Sequence, residues 1–317
     1  MIFSSKTEEL VKEAEAALAP YFEKAEKISY NNTKKVMEAF ARNKVSEACF
    51  APTTGYGYDD KGRETLDRIY AEVFGTEAAL VRHNIVNGTH ALTIALFGLL
   101  RTKDTLLSVT GKPYDTLGEV IGICGNPGDG SLADFGVKYS EVSMKEDGDI
   151  DYDAIERALS EDEKIKVVFI QRSKGYMNRR TLSCAEIGKI VSFVKERSGA
   201  YVMVDNCYGE FTEELEPTAV GADIIVGSLI KNPGGGVALT GGYIAGREHA
   251  VELCSYRLTS VGCGAEVGAT LGQNRDMYRG FFMAPHTVCQ ALKTAMLASY
   301  VFEKMGYKVE PRYNDER

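Results

Sequence analysis

No stretch of the 317 residues approaches the run of about 18 apolar residues needed to span a membrane, and the opening MIFSSKTEEL lacks a basic-then-apolar leader. A cytoplasmic protein with no membrane partner is expected. Blocks of Lys and Arg are missing too. With 37 basic against 45 acidic residues the net charge is -8, and an acidic surface repels phosphate backbones, so nucleic acid is not an expected partner. The seven cysteines are scattered, without the paired spacing of a zinc site or a disulfide framework, which fits a reducing compartment and points to no metal centre. Repeats and low-complexity linkers are absent as well. The 44% hydrophobic and 26% charged content belongs to a globular chain, not to a disordered, collagen-like or coiled-coil one.

What is present alternates. Residues 7–42 carry apolar positions at helical spacing interrupted at Pro20, which predicts two helices. The Gly-, Tyr- and Asp-rich APTTGYGYDDKGR reads as a loop, and a helix follows at about residues 64–74. From there short apolar runs (AALVRHNIV, TLLSVT, VKYSEVSM, KVVFIQ, AYVMVD, ADIIVGSL, GGYIAG) alternate with amphipathic stretches such as DYDAIERALS and AEIGKIVSFVKERS. Continuous Val, Ile and Phe runs separated by helices imply strands buried on both faces, hence an α/β fold with a mostly parallel, doubly wound sheet. PHTVCQALKTAMLASYVFEKMG predicts a long helix near the end of the chain.

In open sheets of this class ligands sit beyond the carboxyl ends of the strands. Four places there carry chemistry. Asp205 ends the apolar AYVMVD, where a carboxylate serves a site or simply caps a turn. Lys231 follows ADIIVGSL and precedes Pro and three glycines; most lysines are solvated, yet a lysine at the edge of an apolar strand is also where a desolvated, low-pKa amine would be built. NGTHAL opens a helix whose first-turn amides suit a phosphate, or it is an ordinary glycine turn. Tyr114, just past TLLSVT, has a ring that stacks on a planar ligand or packs a loop. Together they meet the needs of pyridoxal 5'-phosphate: an amine for the aldehyde, a carboxylate for the pyridine nitrogen, a helix end for the phosphate and a ring to stack. KNPGGG is not a nucleotide phosphate loop, because its lysine precedes the glycines.

The combination resembles the large domain of the aspartate-aminotransferase-like (fold type I) pyridoxal-phosphate enzymes. More closely, GYGYDDKGR, FGTEAALVR, NGTHAL, IQRSKGY, VDNCYGEF, GSLIKNPGGG and GGYIAG resemble the cystathionine and methionine gamma-lyase-related group often labelled aluminium-resistance proteins, over essentially all 317 residues. The resemblance implies that Lys231 bonds the aldehyde and Asp205 partners the pyridine nitrogen. It implies further that Gly88, Thr89 and Ser228 hold the phosphate, that Tyr114 stacks, and that Gln171 and Ser173 lie near the cofactor hydroxyl or substrate. Tyr56 and Tyr58 fall where relatives reach into a neighbouring subunit's phosphate site, which implies a homodimer or homotetramer with shared sites. The implied organisation is a helical segment 1–50, a cofactor-binding large domain 51–285, and a helix 286–317 leading toward a small C-terminal domain that is largely absent and usually supplies the arginine for the substrate carboxylate. The implied activity is carbon–sulfur β- or γ-elimination on an amino acid. An aminotransferase or decarboxylase would use the same lysine and aspartate. A non-catalytic cofactor- or metal-binding protein of metal tolerance is the reading from another class, with Asp59, Asp60, Glu213 and Glu214 as the acidic side chains available to a hard cation.

Overall fold

The computed structural model describes residues 4–177 and 179–315. The ends of MIFSSKTEEL and PRYNDER (1–3 and 316–317) lie outside the described residues. Seven apolar runs become strands: β1 (Ala78–Arg82), β2 (Thr105–Ser108), β3 (Lys138–Glu141), β4 (Ile165–Gln171), β5 (Tyr201–Asp205), β6 (Ile224–Ser228) and β7 (Gly242–Gly246). They form one sheet in the order β1-β7-β6-β5-β4-β2-β3. Every neighbouring pair is parallel except those of β7, which runs antiparallel to both β1 and β6. The five-strand parallel block therefore delivers its carboxyl ends to one edge.

Helices cover both faces, as the continuous apolar strands require. Successive residues point to opposite sides: Val168, Ile170, Val202 and Val204 join α2 (Lys61–Phe74), α6 (Cys184–Lys195) and α8 (Asn274–Lys304) in one core. Val167, Phe169, Met203 and Val226 pack against α3 (Gly88–Leu99) and α7 (Glu248–Leu258) in the other. The expected α/β sheet is borne out. Truncating a side chain such as Phe169, fully buried, would cost about 3–5 kcal/mol.

Three local expectations are corrected. The first 38 helical residues form one helix, α1 (Ser5–Arg42), that runs straight through Pro20. An internal proline removes one hydrogen bond and costs roughly 3 kcal/mol. Packing offsets it, since Ala14 and Leu18 bury against Tyr300 of α8, and Lys293 and Lys304 pair with Glu26 and Glu13 at 2.6 and 2.8 Å. The long C-terminal helix starts earlier than PHTVCQ, at Asn274, and includes Pro285. A short helix, α4 (Asp115–Ile121), stands between β2 and the Gly-rich stretch, and α7 follows β7; neither stood out in the sequence. α5 (Tyr152–Glu161) falls on DYDAIERALS as expected. Among the described residues no helix is long and apolar enough to cross a membrane.

Candidate active site

Strand register brings the first chemistry together. Gln171, last in β4, is opposite Asp205, last in β5, which is opposite Val226 in β6. Lys231 follows β6 after a short turn, its N–H bonded to the Ser228 carbonyl at 3.2 Å. On the β1 side, Asn87 caps α3 by accepting the His90 N–H at 2.8 Å. His90 returns the favour as Nδ1 accepts the Val86 N–H at 3.2 Å, so this histidine serves the turn. The remaining first-turn amides of α3 have no intrahelical partners. Position 88 must be glycine for α3 to come so close: a Cβ there would lie 3.0 Å from Cys207 Sγ, 3.5 Å from Ser228 Cβ and 4.0 Å from Lys231 Nζ. These ends enclose a cavity of about 370 Å³ whose wall includes Gly88, Thr89, Tyr114, Asp205, Tyr208 and Lys231.

Charge in this cavity is unevenly matched. Asp205 is buried, which pushes its carboxyl up, against the Cys207 N–H that it accepts at 3.0 Å and the nearby Lys231 charge. Burial pulls the Lys231 ammonium down, but Cys207, Tyr208 and Asp205 outweigh it and the group titrates above an ordinary lysine. The low-pKa amine expected from the apolar approach is thus corrected: the acid beside it comes from β5, not from its own strand. Burial, helped by Asp205, holds the Cys207 thiol well above its usual range, with the Lys231 charge opposing that shift. The Lys231 Nζ sits 4.2 Å from the centre of the Tyr208 ring. Tyr114, its phenol pushed up to about 12 by a hydrogen bond with Tyr176, presents a ring tilted 31° to that of Tyr176.

The turn after β5 is fixed by buried ions. Arg172 donates to Asn206 Oδ1 at 2.8 Å, to the Gly209 carbonyl at 3.0 Å and to Glu213 Oε1 at 2.6 Å. Glu216 accepts the Phe211 N–H at 2.9 Å and Asn206 Nδ2 at 3.0 Å. This lattice holds Asp205 at the cavity edge. Arg172 and Tyr208 lie inside the segments IQRSKGY and VDNCYGEF, but neither they nor Thr116, which lines the cavity, is singled out by residue type or spacing.

Other anticipated residues are placed differently. Ser228 is fully buried behind the cavity wall, its Oγ 3.5 Å from the Gly241 carbonyl and 3.4 Å from the Ile230 N–H. Gln171 is a brace: Oε1 accepts the Tyr114 N–H at 2.6 Å and Nε2 donates to the Ser173 carbonyl at 3.0 Å, while Ser173 itself lines the cavity. Tyr56 and Tyr58 are exposed, stacked on each other at 5.5 Å, and outside the wall of this cavity. Their loop is stapled by the buried Arg63, which donates to the carbonyls of Gly57 and Gly268 at 2.6 and 2.8 Å. Three of the acids considered for a cation are engaged: Asp60 caps α2, Glu213 pairs with Arg172, and Glu214 accepts Asn31 Nδ2. Among the described residues no group of three or more His, Cys, Asp or Glu is arranged to hold a metal ion.

Comparison with known proteins gives this geometry a context. A family model described as methionine gamma-lyase matches residues 7–317. Protein YnbB of Bacillus subtilis (strain 168) is 52% identical over 306 residues, covering 96% of this chain and 72% of that protein. A crystal structure of a carbon-sulfur lyase involved in aluminum resistance from Clostridium novyi NT is similar with a TM-score of 0.96 at 50% identity, over 99% of this chain and 75% of the other. L-methionine gamma-lyase of Pseudomonas putida is 29% identical over 210 residues, 65% of this chain and 46% of that enzyme.

Proposed function

We propose that this chain, which belongs to the methionine gamma-lyase family, is a pyridoxal 5'-phosphate-dependent lyase that breaks a carbon–sulfur bond of an amino acid by β- or γ-elimination. The observation that carries this reading is the meeting of Lys231, Asp205 and the N-terminus of α3 around one cavity. The cavity suits that cofactor. Two positive features, the Lys231 ammonium and the α3 amides, come within reach of each other at Gly88 with one buried carboxylate, Asp205, between strands. A phosphate at the helix end would offset the excess, and a cation facing Asp205 would relieve its buried charge.

When bound, the cofactor supplies an electron sink for the substrate's α-carbon. The chain supplies the rest. Lys231 Nζ would hold the aldehyde and, as the free amine, would accept the α-proton. Asp205 would partner the pyridine nitrogen, whose positive charge would favour the ionised carboxylate. Gly88 and Thr89 would hold the phosphate from α3 with Ser228 behind them, and the Tyr114 ring, braced by Gln171, would be the one to stack on the cofactor. Residues 51–285 form the cofactor-binding unit, flanked by 1–50 and 286–317. Tyr56 and Tyr58, exposed and turned away from their own cavity's wall, serve the phosphate site of a second copy in a homodimer or homotetramer.

A visible spectrum of the purified protein tests this. A band that borohydride removes is expected from wild type, and its loss in Lys231→Ala. The same band persisting in Lys231→Ala after borohydride would end the assignment. With sulfur amino acids, a keto acid with ammonia and thiol is the expected product set; amino transfer to an acceptor would replace elimination by transamination.

A further inference from the structure

Tyr208 is an aromatic residue at a backbone position that suits glycine. Its φ is +69°, in the left-handed region that bulky side chains rarely enter, and Phe211 follows at +63°. Such strain persists only where the surroundings over-determine it, and it concentrates at working sites. Both conditions hold here. Arg172 grips Asn206 and Gly209 on either side of Tyr208, and Glu216 takes the Phe211 N–H. Burial alone does not account for the residue, which is 59% exposed. What it touches is Lys231 Nζ, 4.2 Å from its centre.

We propose that Tyr208 is a positioning residue for the reactive lysine, its ring face holding the Lys231 ammonium that remains once the amine has taken up a proton. The face of an aromatic ring carries negative charge that attracts a cation and not a neutral amine. The contact therefore keeps the proton-bearing form at the cavity wall, between Asp205 and the α3 N-terminus, once the amine has accepted the α-proton in the function proposed above, on which this inference rests. The groups bearing on this amine are Asp205 and Cys207 after β5, Tyr208 itself, and the positive end of α3 at Gly88. Tyr114 and Lys174 line the same cavity. Cys207, Tyr208 and Asp205 favour the charged amine; the helix end and Lys174 oppose it.

The test titrates Lys231 directly in the cofactor-free protein. Acetic anhydride labelling across pH, with the Lys231 peptide quantified by mass spectrometry, gives the amine's midpoint in wild type, Tyr208→Phe, Tyr208→Leu and Tyr208→Gly. Removing the ring should lower the midpoint by roughly half to one and a half pH units in the Leu and Gly variants. Phenylalanine should restore the wild-type midpoint, because it keeps the ring. The glycine variant removes ring and strain together while the leucine variant removes only the ring, so agreement between the two assigns the shift to the ring. A wild-type midpoint in the Leu and Gly variants, or a shift in the Phe variant as large as in Leu, would overturn the proposal. Capture of pyridoxal phosphate by wild type is scored separately by absorbance; its failure would remove the proposed function while the labelling midpoints still decide the role of Tyr208.

Discussion

Gln171 and Tyr114 are joined through the backbone: Gln171 Oε1 accepts the Tyr114 N–H at 2.6 Å. The same amide donates from Nε2 to the Ser173 carbonyl at 3.0 Å, and Arg179 in turn donates to the Gln171 and Ser173 carbonyls at 2.8 and 2.6 Å. One buried side chain thus sets the Tyr114 backbone and the cavity rim together. In Gln171→Leu the Tyr114 N–H loses its acceptor, a penalty of about 1–3 kcal/mol. Affinity for pyridoxal phosphate should fall about tenfold or more, read by absorbance titration, while Gln171→Glu, which keeps an acceptor, loses less. Unchanged affinity in the leucine variant would reduce Gln171 to packing.

Gly88→Ala puts a methyl 3.0 Å from Cys207 Sγ, so either α3 or the β5 turn must yield. Overpacking of this kind costs typically 1–3 kcal/mol, and here it would displace the first-turn amides of α3 from the cavity wall. Weaker cofactor binding is expected, with recovery in the double variant Gly88→Ala/Cys207→Ala, where the obstructing sulfur is gone. Equal binding by both variants would show that the close approach has no role.

The parallel core of the sheet was legible because β4, β5 and β6 are buried on both faces, and only an uninterrupted Val, Ile and Met or Phe run satisfies that burial. Asp205 and Lys231 were legible for the same reason, as polar residues where such runs stop. Pro20 misled because its cost is local and its compensation is not: Tyr300 and Lys293, which hold α1 together, lie at the far end of the chain. The titration of Lys231 was unreadable for a like reason, since its acidic neighbour stands on a different strand. Tyr208 and Arg172 lay inside VDNCYGEF and IQRSKGY without any residue-type or spacing rule that would give them a role. Their meaning lies in a backbone angle and in bonds across a folded turn.

Arg172 is the strongest case of a buried group that acts at a distance. Its side chain is 1% exposed and faces Glu213 at 2.6 Å and Glu216 at 3.6 Å. Arg172→Met would leave both acids without their cation and the Asn206 and Gly209 oxygens without their donor. Breaking one partner of a buried pair costs about 3–5 kcal/mol, so urea unfolding should show a loss of that order. Replacing Glu213 by Gln should cost less, because Arg172 keeps Glu216 and its other acceptors.

Glu210 sets a pH dependence whose sign is opposite to that of most carboxylates. It is fully buried, its Oε1 accepts the Tyr243 hydroxyl at 2.9 Å, and its Oε2 has no hydrogen-bond partner among the described residues. Burial pushes its carboxyl from an ordinary 4.5 up to about 8. Between those values the folded chain keeps a proton that the unfolded chain has released, so the native state binds more protons and stability must fall as pH rises. The contribution is whole below about 4.5 and is lost as pH climbs through about 8, at up to about 1.4 kcal/mol per pH unit. Glu210→Gln, which carries its hydrogens at every pH, should flatten the profile: it should be more stable than wild type at pH about 8, with the gap narrowing toward pH about 5. Chemical unfolding at those two pH values measures it, and parallel profiles for the two proteins would mean that Glu210 is ionised in the native state.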